Sequence, residues 1–480
     1  MEFLIFIALI TALVWGMVAL KFSTLFTRRF HLIPLIGFLV ILVGCVFSHE
    51  FFNISAGPIP ITLDRLMLVA LVGLFAWQYA HGKQNLRRFN GVDFGILILT
   101  AVITLSTVMH DFTFLKNMPA SRLLFFNLMP VGLYAVMRYT RLGDNDLKLI
   151  SLGFVGLGLY LAVTAIAETR GLGSIVFPRY IMNPEFDEFF GRGRGPFLNP
   201  VSNGICMVVC LCCMWMWFPS SSIRRKVLLI GLAGLMCIGV YSTFTRSVWM
   251  GLVAAAAIVV FLPAPQAYKG AMVVVASILM VCLAPMLADK VFSFKRDKDV
   301  SVADMQLSAR LRPMFLTVAT RMIADRPVLG VGFGQYAQAK YPYLQDQYSA
   351  APLSLTKEYM QHNIFLAYLC ETGFTGLSVL LLMLTLFLRA AWVVWRDIRL
   401  SFWKRQFGLL LIAMLANHCI NGMFHDVSII PMENMLMFFL AALVNNIYSA
   451  RPAPEQAPVT QAVRREQNRV AMPTPGSMVT

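Results

Sequence analysis

Apolar stretches close to the length of a bilayer crossing dominate the chain. A membrane-spanning helix needs about 20 mostly apolar residues. Such runs recur at about 3–20, 32–47, 66–80, 92–109, 122–137, 147–166, 201–218, 227–243, 247–262, 271–287, 364–388, 407–424 and 427–448. The pattern predicts an all-α polytopic membrane protein with about 12–13 transmembrane helices. The first run has only Glu2 before it and no small-residue cleavage site after it, so it reads as an uncleaved span and not a signal peptide. Four segments follow: N-terminal transmembrane helices over 1–287, with a loop at 167–200; a large loop over 288–363; C-terminal transmembrane helices over 364–448; and a tail over 449–480. The tail is rich in Pro, Gln, Thr and Arg without an apolar period and is expected to be disordered. Within the large loop, Phe315, Val318 and Met322 share one stripe at helical spacing, and Thr317, Arg321 and Asp325 mark a polar side. The spacing predicts an amphipathic helix that begins near Pro313, a residue suited to a first helical position, and lies in the membrane interface.

Composition agrees with this reading. Hydrophobic residues make up 58% and charged residues 13% of the 480, against about 25% charged in an ordinary globular protein. A cytosolic enzyme, a secreted disulfide scaffold and a disordered chain are excluded. The net charge of +16, from 40 Lys and Arg against 24 Asp and Glu, would suggest a nucleic-acid partner in a soluble protein. Here the placement of the charges explains them otherwise. Alternate short connections and the tail hold 22 basic residues, among them Arg28, Arg87, Arg138, Arg224, Arg225, Lys226, Arg399 and Arg451. The short connections of the other face hold Arg65, Lys116, Arg122 and Arg246, and its two long loops hold the remainder. Short-loop bias sets orientation, so the tail is expected inside and both long loops outside, with no nucleic-acid partner.

All nine cysteines fall in predicted spans. Cys206, Cys210, Cys212 and Cys213 point around one continuous apolar helix and so read as core packing, not a zinc site. No metal or other cofactor is expected.

The candidate chemistry gathers on the outward side. Arg192 and Arg194, in RGRGPFLNP, are separated by a glycine that lets the backbone turn tightly at a ligand. Arg246, in TFTRSVWMG, sits in the tightest outward connection, where a lone cation beside hydrocarbon needs an anion or water. Gly330, Gly332 and Gly334, in RPVLGVGFGQY, imitate a nucleotide loop but lack the strand and the GK[ST] of one. His362 opens the next span and can accept a proton near neutral pH, with Asn363 beside it, while Glu371 lies deeper in the same run and is expected to pair with an arginine of a neighbouring helix. Arginines bind phosphate oxygens bidentately without a metal, so the combination suits group transfer from a lipid diphosphate donor.

These segments, taken in order with ITLDRL at Ile61–Leu66, resemble the bacterial O-antigen ligase and O-antigen/exopolysaccharide polymerase superfamily from about residue 60 to about 425. The resemblance implies a metal-independent inner-membrane glycosyltransferase of GT-C-like fold that uses an undecaprenyl-diphosphate-linked glycan on the periplasmic face. It assigns a catalytic role to His362 and diphosphate contacts to Arg192 and Arg246, with Arg194 an additional arginine and Arg310 a supporting one. Implied partners are the lipid-linked donor, a glycan or lipid A core acceptor, membrane lipids and polysaccharide export proteins. The RGRGPF and TRSVW variants look closer to the polymerase type. Ligation to lipid A core is the alternative, and a lipid-linked oligosaccharide flippase is the alternative from another class.

Overall fold

A computed structural model describes residues 30–56, 59–82, 86–110, 119–186, 188–275, 277–278, 302–345 and 352–451. The first apolar run, most of the tenth, Cys282, the loop residues 288–301 and nearly all of the tail lie outside these residues. The helices are α1 (Leu32–Val46), α2 (Leu63–Ala80), α3 (Gly91–Val108), α4 (Pro119–Tyr139), α5 (Asp144–Thr169), α6 (Pro200–Trp215), α7 (Ile223–Ser242), α8 (Arg246–Phe261), α9 (Val302–Asp325), α10 (Ile364–Arg396), α11 (Phe402–Gly422) and α12 (Pro431–Ser449). A short antiparallel hairpin, Ile54–Ala56 with Ile59–Ile61, precedes α2.

The chain is an all-α membrane protein. Five helices, α2 to α5 and α10, are long and apolar enough to cross a bilayer, and α1, α6 and α8 are shorter apolar helices. The remaining predicted crossings in the described region, α7, α11 and α12, are helices of 20, 21 and 19 residues, long enough but not apolar enough by themselves.

Why the chain buries some helices and exposes others follows from their faces. α12 is buried on every side from Glu433 to Ile447, and it packs against α1, α4, α10 and α11. By contrast α2 buries only Leu68 and Leu71. At one end of the bundle Arg138, although counted above among the orienting charges, is fully buried and paired with Asp93 at 3.1 Å. Tyr134 donates to the same carboxylate at 2.6 Å and Asn445 of α12 at 2.9 Å, so this network fastens α12 to α3 and α4.

Two helices depart from simple periodicity. α9 starts well before Pro313, which lies inside it instead of at its first turn. The expected stripe does form its buried side, with Phe315, Val318 and Met322 at 5, 0 and 0% exposure. α10 is broken at Gly373, where φ is 64° and ψ −166°. The N–H groups of Phe374 and Thr375, freed by the break, donate to Pro327 and Val328 carbonyls at 2.8 and 3.2 Å. Irregular backbone is tolerated in a membrane helix when another part of the protein satisfies it.

Candidate functional site

The glycine-rich segment after α9 is what fills that break. Val331 and Gly332 donate to the Cys370 and Glu371 carbonyls at 2.9 Å each, and Gly334 donates to Glu371 Oε2 at 3.0 Å. Gly330, Gly332 and Gly334 all have positive φ, and a Cβ on Gly330 would stand 2.5 Å from the Glu371 backbone. The amides of Val331, Gly332 and Gly334 are therefore spent on α10. Glu371, 2% exposed, also takes an ion pair from Arg122 of α4 at 2.9 Å, which is the pairing its sequence context implied. Arg122 also approaches Asp426, at 4.0 Å, and lies 4.9 Å from the Phe333 ring.

Removing one member of a buried pair leaves a charge without a partner, which costs about 3–5 kcal/mol. Glu371→Ala is therefore expected to destabilise the protein by that amount. The Arg122→Ala/Glu371→Ala double variant should lose much less than the sum, read by thermal unfolding in detergent. Additive losses would show that the pair is not a unit.

The four outward arginines singled out by sequence separate into different environments. Arg194 is fully buried. Its guanidinium pairs with Glu168 at 2.9 Å and donates to the carbonyls of Phe186, Glu188 and Ile181. With four donor contacts made inside the protein, it holds the 167–200 loop folded and has little left for a ligand. Arg192, 4% exposed, reaches the end of α7: Nε donates to the Thr243 carbonyl at 3.2 Å and Nη2 to Thr245 Oγ1 at 2.6 Å. Gly193 permits this approach, since its N–H donates to the Ser242 carbonyl at 2.8 Å and a Cβ there would meet that oxygen at 3.0 Å. A cation at a helix C-terminus is favourable, and Arg192 thereby braces the turn that delivers Arg246.

Arg246, the first residue of α8, is half-buried, and its Nε is a buried donor without a hydrogen-bond partner among the described residues. The neighbouring charge that acts on it is another cation, Arg312 of α9. Arg312 is exposed and lies 5.4 Å from the Phe424 ring, just beyond the end of α11. Among the described residues neither guanidinium has a carboxylate at ion-pair distance. Arg310, the arginine named from sequence, belongs to the same helix, but its side chain lies outside the described residues.

His362 stands beside this pair. Its ring meets Phe315 edge to face at 5.5 Å, and Phe315 lies one turn beyond Arg312 on α9, hence on the same face. His362 is exposed with φ +49°, a left-handed conformation uncommon for a residue with a Cβ. Its neighbours impose it. Gln361 is buried and donates to Asp426 at 3.4 Å. Asn363 caps α10, accepting from Phe365 and Leu366 N–H groups at 2.9 and 3.0 Å, and donates to the Met423 carbonyl at 3.0 Å. The histidine is thus presented outward between two anchored residues, and Asn363 supports it as a positioning residue.

The ends of α7, α8, α10 and α11 and the side of α9 converge on one end of the bundle, bringing Arg192, Arg246, Arg312 and His362 into one neighbourhood. No curated protein matches the chain. Residues 231–381, which run from α7 through the break in α10 and include Arg246, Arg312 and His362, match the family model described as O-antigen ligase. That stretch of the chain is similar to the O-antigen ligase and polymerase superfamily.

Proposed function

We propose that this protein is a metal-independent glycosyltransferase of the bacterial inner membrane. It acts at the periplasmic face on an undecaprenyl-diphosphate-linked glycan, within a GT-C-like fold, and polymerises exopolysaccharide or O-antigen repeat units. The observation that carries this reading is the arginine couple Arg246 and Arg312, two like charges that act on one another with no carboxylate at ion-pair distance among the described residues, near an exposed histidine. A site with that charge is complementary to a dianion, and a diphosphate supplies one with oxygens for both guanidinium forks.

In the reaction, the acceptor hydroxyl gives its proton to the His362 ring as its oxygen bonds to the anomeric carbon of the donor. The bond from that carbon to the diphosphate oxygen breaks. The negative charge growing on the leaving diphosphate lies against Arg246 and Arg312, with Arg192 keeping the Arg246 turn in place. Nothing in this sequence of events calls for a metal, so activity is expected to survive EDTA.

Ligation to lipid A core uses the same donor chemistry, and the description of the matched family favours it as the second reading. Purified protein given a lipid-linked repeat unit, with and without lipid A core, separates them by product size. A ladder formed without core is the expected result, and product only with core identifies a ligase. Movement of the lipid-linked unit across vesicles without any new glycosidic bond would refute transfer altogether and leave a flippase.

A further inference from the structure

Helices α7 and α8, whose neighbouring ends meet Arg192 and carry Arg246, also border a second feature towards their opposite ends. α6, α7 and α8 enclose an apolar groove of about 190 Å³. Its walls include Trp215 on α6, Ile230 and Ala233 on α7, and Ala256 and Val260 on α8. Trp215, Ile230 and Val260 are 39, 60 and 38% exposed, so the groove opens sideways from the bundle. Its rim is cationic. Lys226 Nζ lies 5.3 Å over the Phe218 ring, which is stacked on Trp215 at 5.0 Å with the ring planes 2° apart. Arg224 and Arg225 precede Lys226 in the first turn of α7 and are exposed.

Length separates this groove from the arginine pair. α7 has 20 residues, about 30 Å of helix, with Arg192 bound at its last turn and the Arg224, Arg225 and Lys226 cluster in its first. In a bilayer these ends fall in opposite leaflets. A polyprenyl chain hanging from a diphosphate at Arg246 would reach the groove as uncharged hydrocarbon and meet three cations with nothing to match them. A diacyl lipid of the nearer leaflet brings an acyl chain for the groove and a phosphate for the rim together, and basic pockets between membrane helices are suited to such headgroups.

We propose that the groove between α6, α7 and α8 binds an anionic diacyl phospholipid, with an acyl chain between Trp215, Ala233 and Ala256 and the phosphate at Arg224, Arg225 and Lys226. The occupant wedges between the same two helices whose other ends carry Arg192 and Arg246. The assignment is independent of the glycosyltransferase reading.

Delipidated full-length protein in detergent, titrated with dioleoyl phosphatidylglycerol or dioleoyl phosphatidylcholine and read by native mass spectrometry, tests it. The wild type is expected to bind the anionic lipid at least about tenfold more tightly. The Arg224→Gln/Arg225→Gln/Lys226→Gln variant should bind it on the order of 100-fold more weakly, from roughly one charge interaction per residue. Ala256→Trp, which fills the groove without changing charge, should weaken both lipids while helicity by circular dichroism stays at the wild-type level. Equal binding of the two lipids by the wild type, or unchanged phosphatidylglycerol binding by either variant, overturns the proposal. Displacement of the phospholipid by an equal amount of an uncharged polyprenol overturns it too, and assigns the groove to an isoprenoid chain.

Discussion

His362→Gly is expected to lower the turnover number about 10²- to 10⁴-fold, the range a positioned general base contributes, while donor affinity and stability stay close to wild type. Glycine is the informative replacement because the backbone at 362 is left-handed, with φ +49°. Alanine keeps that strain, whereas glycine relieves it and loses only the ring. The ring is exposed and meets Phe315 edge to face, so removing it is expected to shift stability by no more than about 1 kcal/mol in either direction. His362→Ala should be as inactive as His362→Gly. Turnover by purified protein on a lipid-linked repeat unit, with binding measured separately on a non-transferable lipid diphosphate, gives the two readings. Full transfer by the glycine variant would remove His362 from the chemistry and leave Asn363, Gln361 and the loop as a structural hinge. Loss of binding in parallel with turnover would instead make the histidine a donor contact.

Much of the helical framework is legible from apolar run length, because a span is a local property of about 20 residues. The run at 147–166 became α5, and that at 364–388 became the first three-quarters of α10. What the pattern conceals is whatever depends on a distant partner. Pro313 resembled a helix start because proline lacks the N–H an interior position would use, yet α9 passes through it. Starting the helix there left Arg312 in a connection, whereas the longer helix sets Arg312 one turn before Phe315, where its charge acts on Arg246. The break at Gly373 was hidden in an apolar run because its cause is the glycine loop some 40 residues earlier in the chain. Arg194 looked equivalent to Arg192, and only the fold shows Glu168 waiting for it. A signal for that distinction was present: Glu168 is an acid at the end of an apolar run, and such a residue calls for a cationic partner. Glu371 was read on that ground, and Arg122 answers it.

Arg246→Met is expected to weaken binding of a lipid diphosphate by roughly 10- to 150-fold, the equivalent of about 1.5–3 kcal/mol for hydrogen bonds to a charged group, while leaving the unliganded protein as stable as wild type or more so. The two effects have one origin. Among the described residues the buried Nε of Arg246 has no acceptor, and the like charge of Arg312 acts on it; both conditions raise the free energy of the folded state. Methionine keeps most of the side-chain volume and removes both penalties. An arginine serving only to hold the fold would behave in the opposite way, as Arg122 and Arg194 should, because their carboxylates would be left buried and unpaired. Arg312→Met should mirror Arg246→Met in binding, and the double variant should lose less binding than the sum, since both arginines would contact the same diphosphate. Arg246→Lys should recover only part of the affinity, having charge without the bidentate fork. Thermal unfolding with and without a soluble prenyl diphosphate measures all four variants. The wild type should gain stability from the ligand, and Arg246→Met should start no lower and gain little. A strongly destabilised Arg246→Met that still responds to the diphosphate as the wild type does would make Arg246 a structural residue and remove the anion site from the reading of this protein.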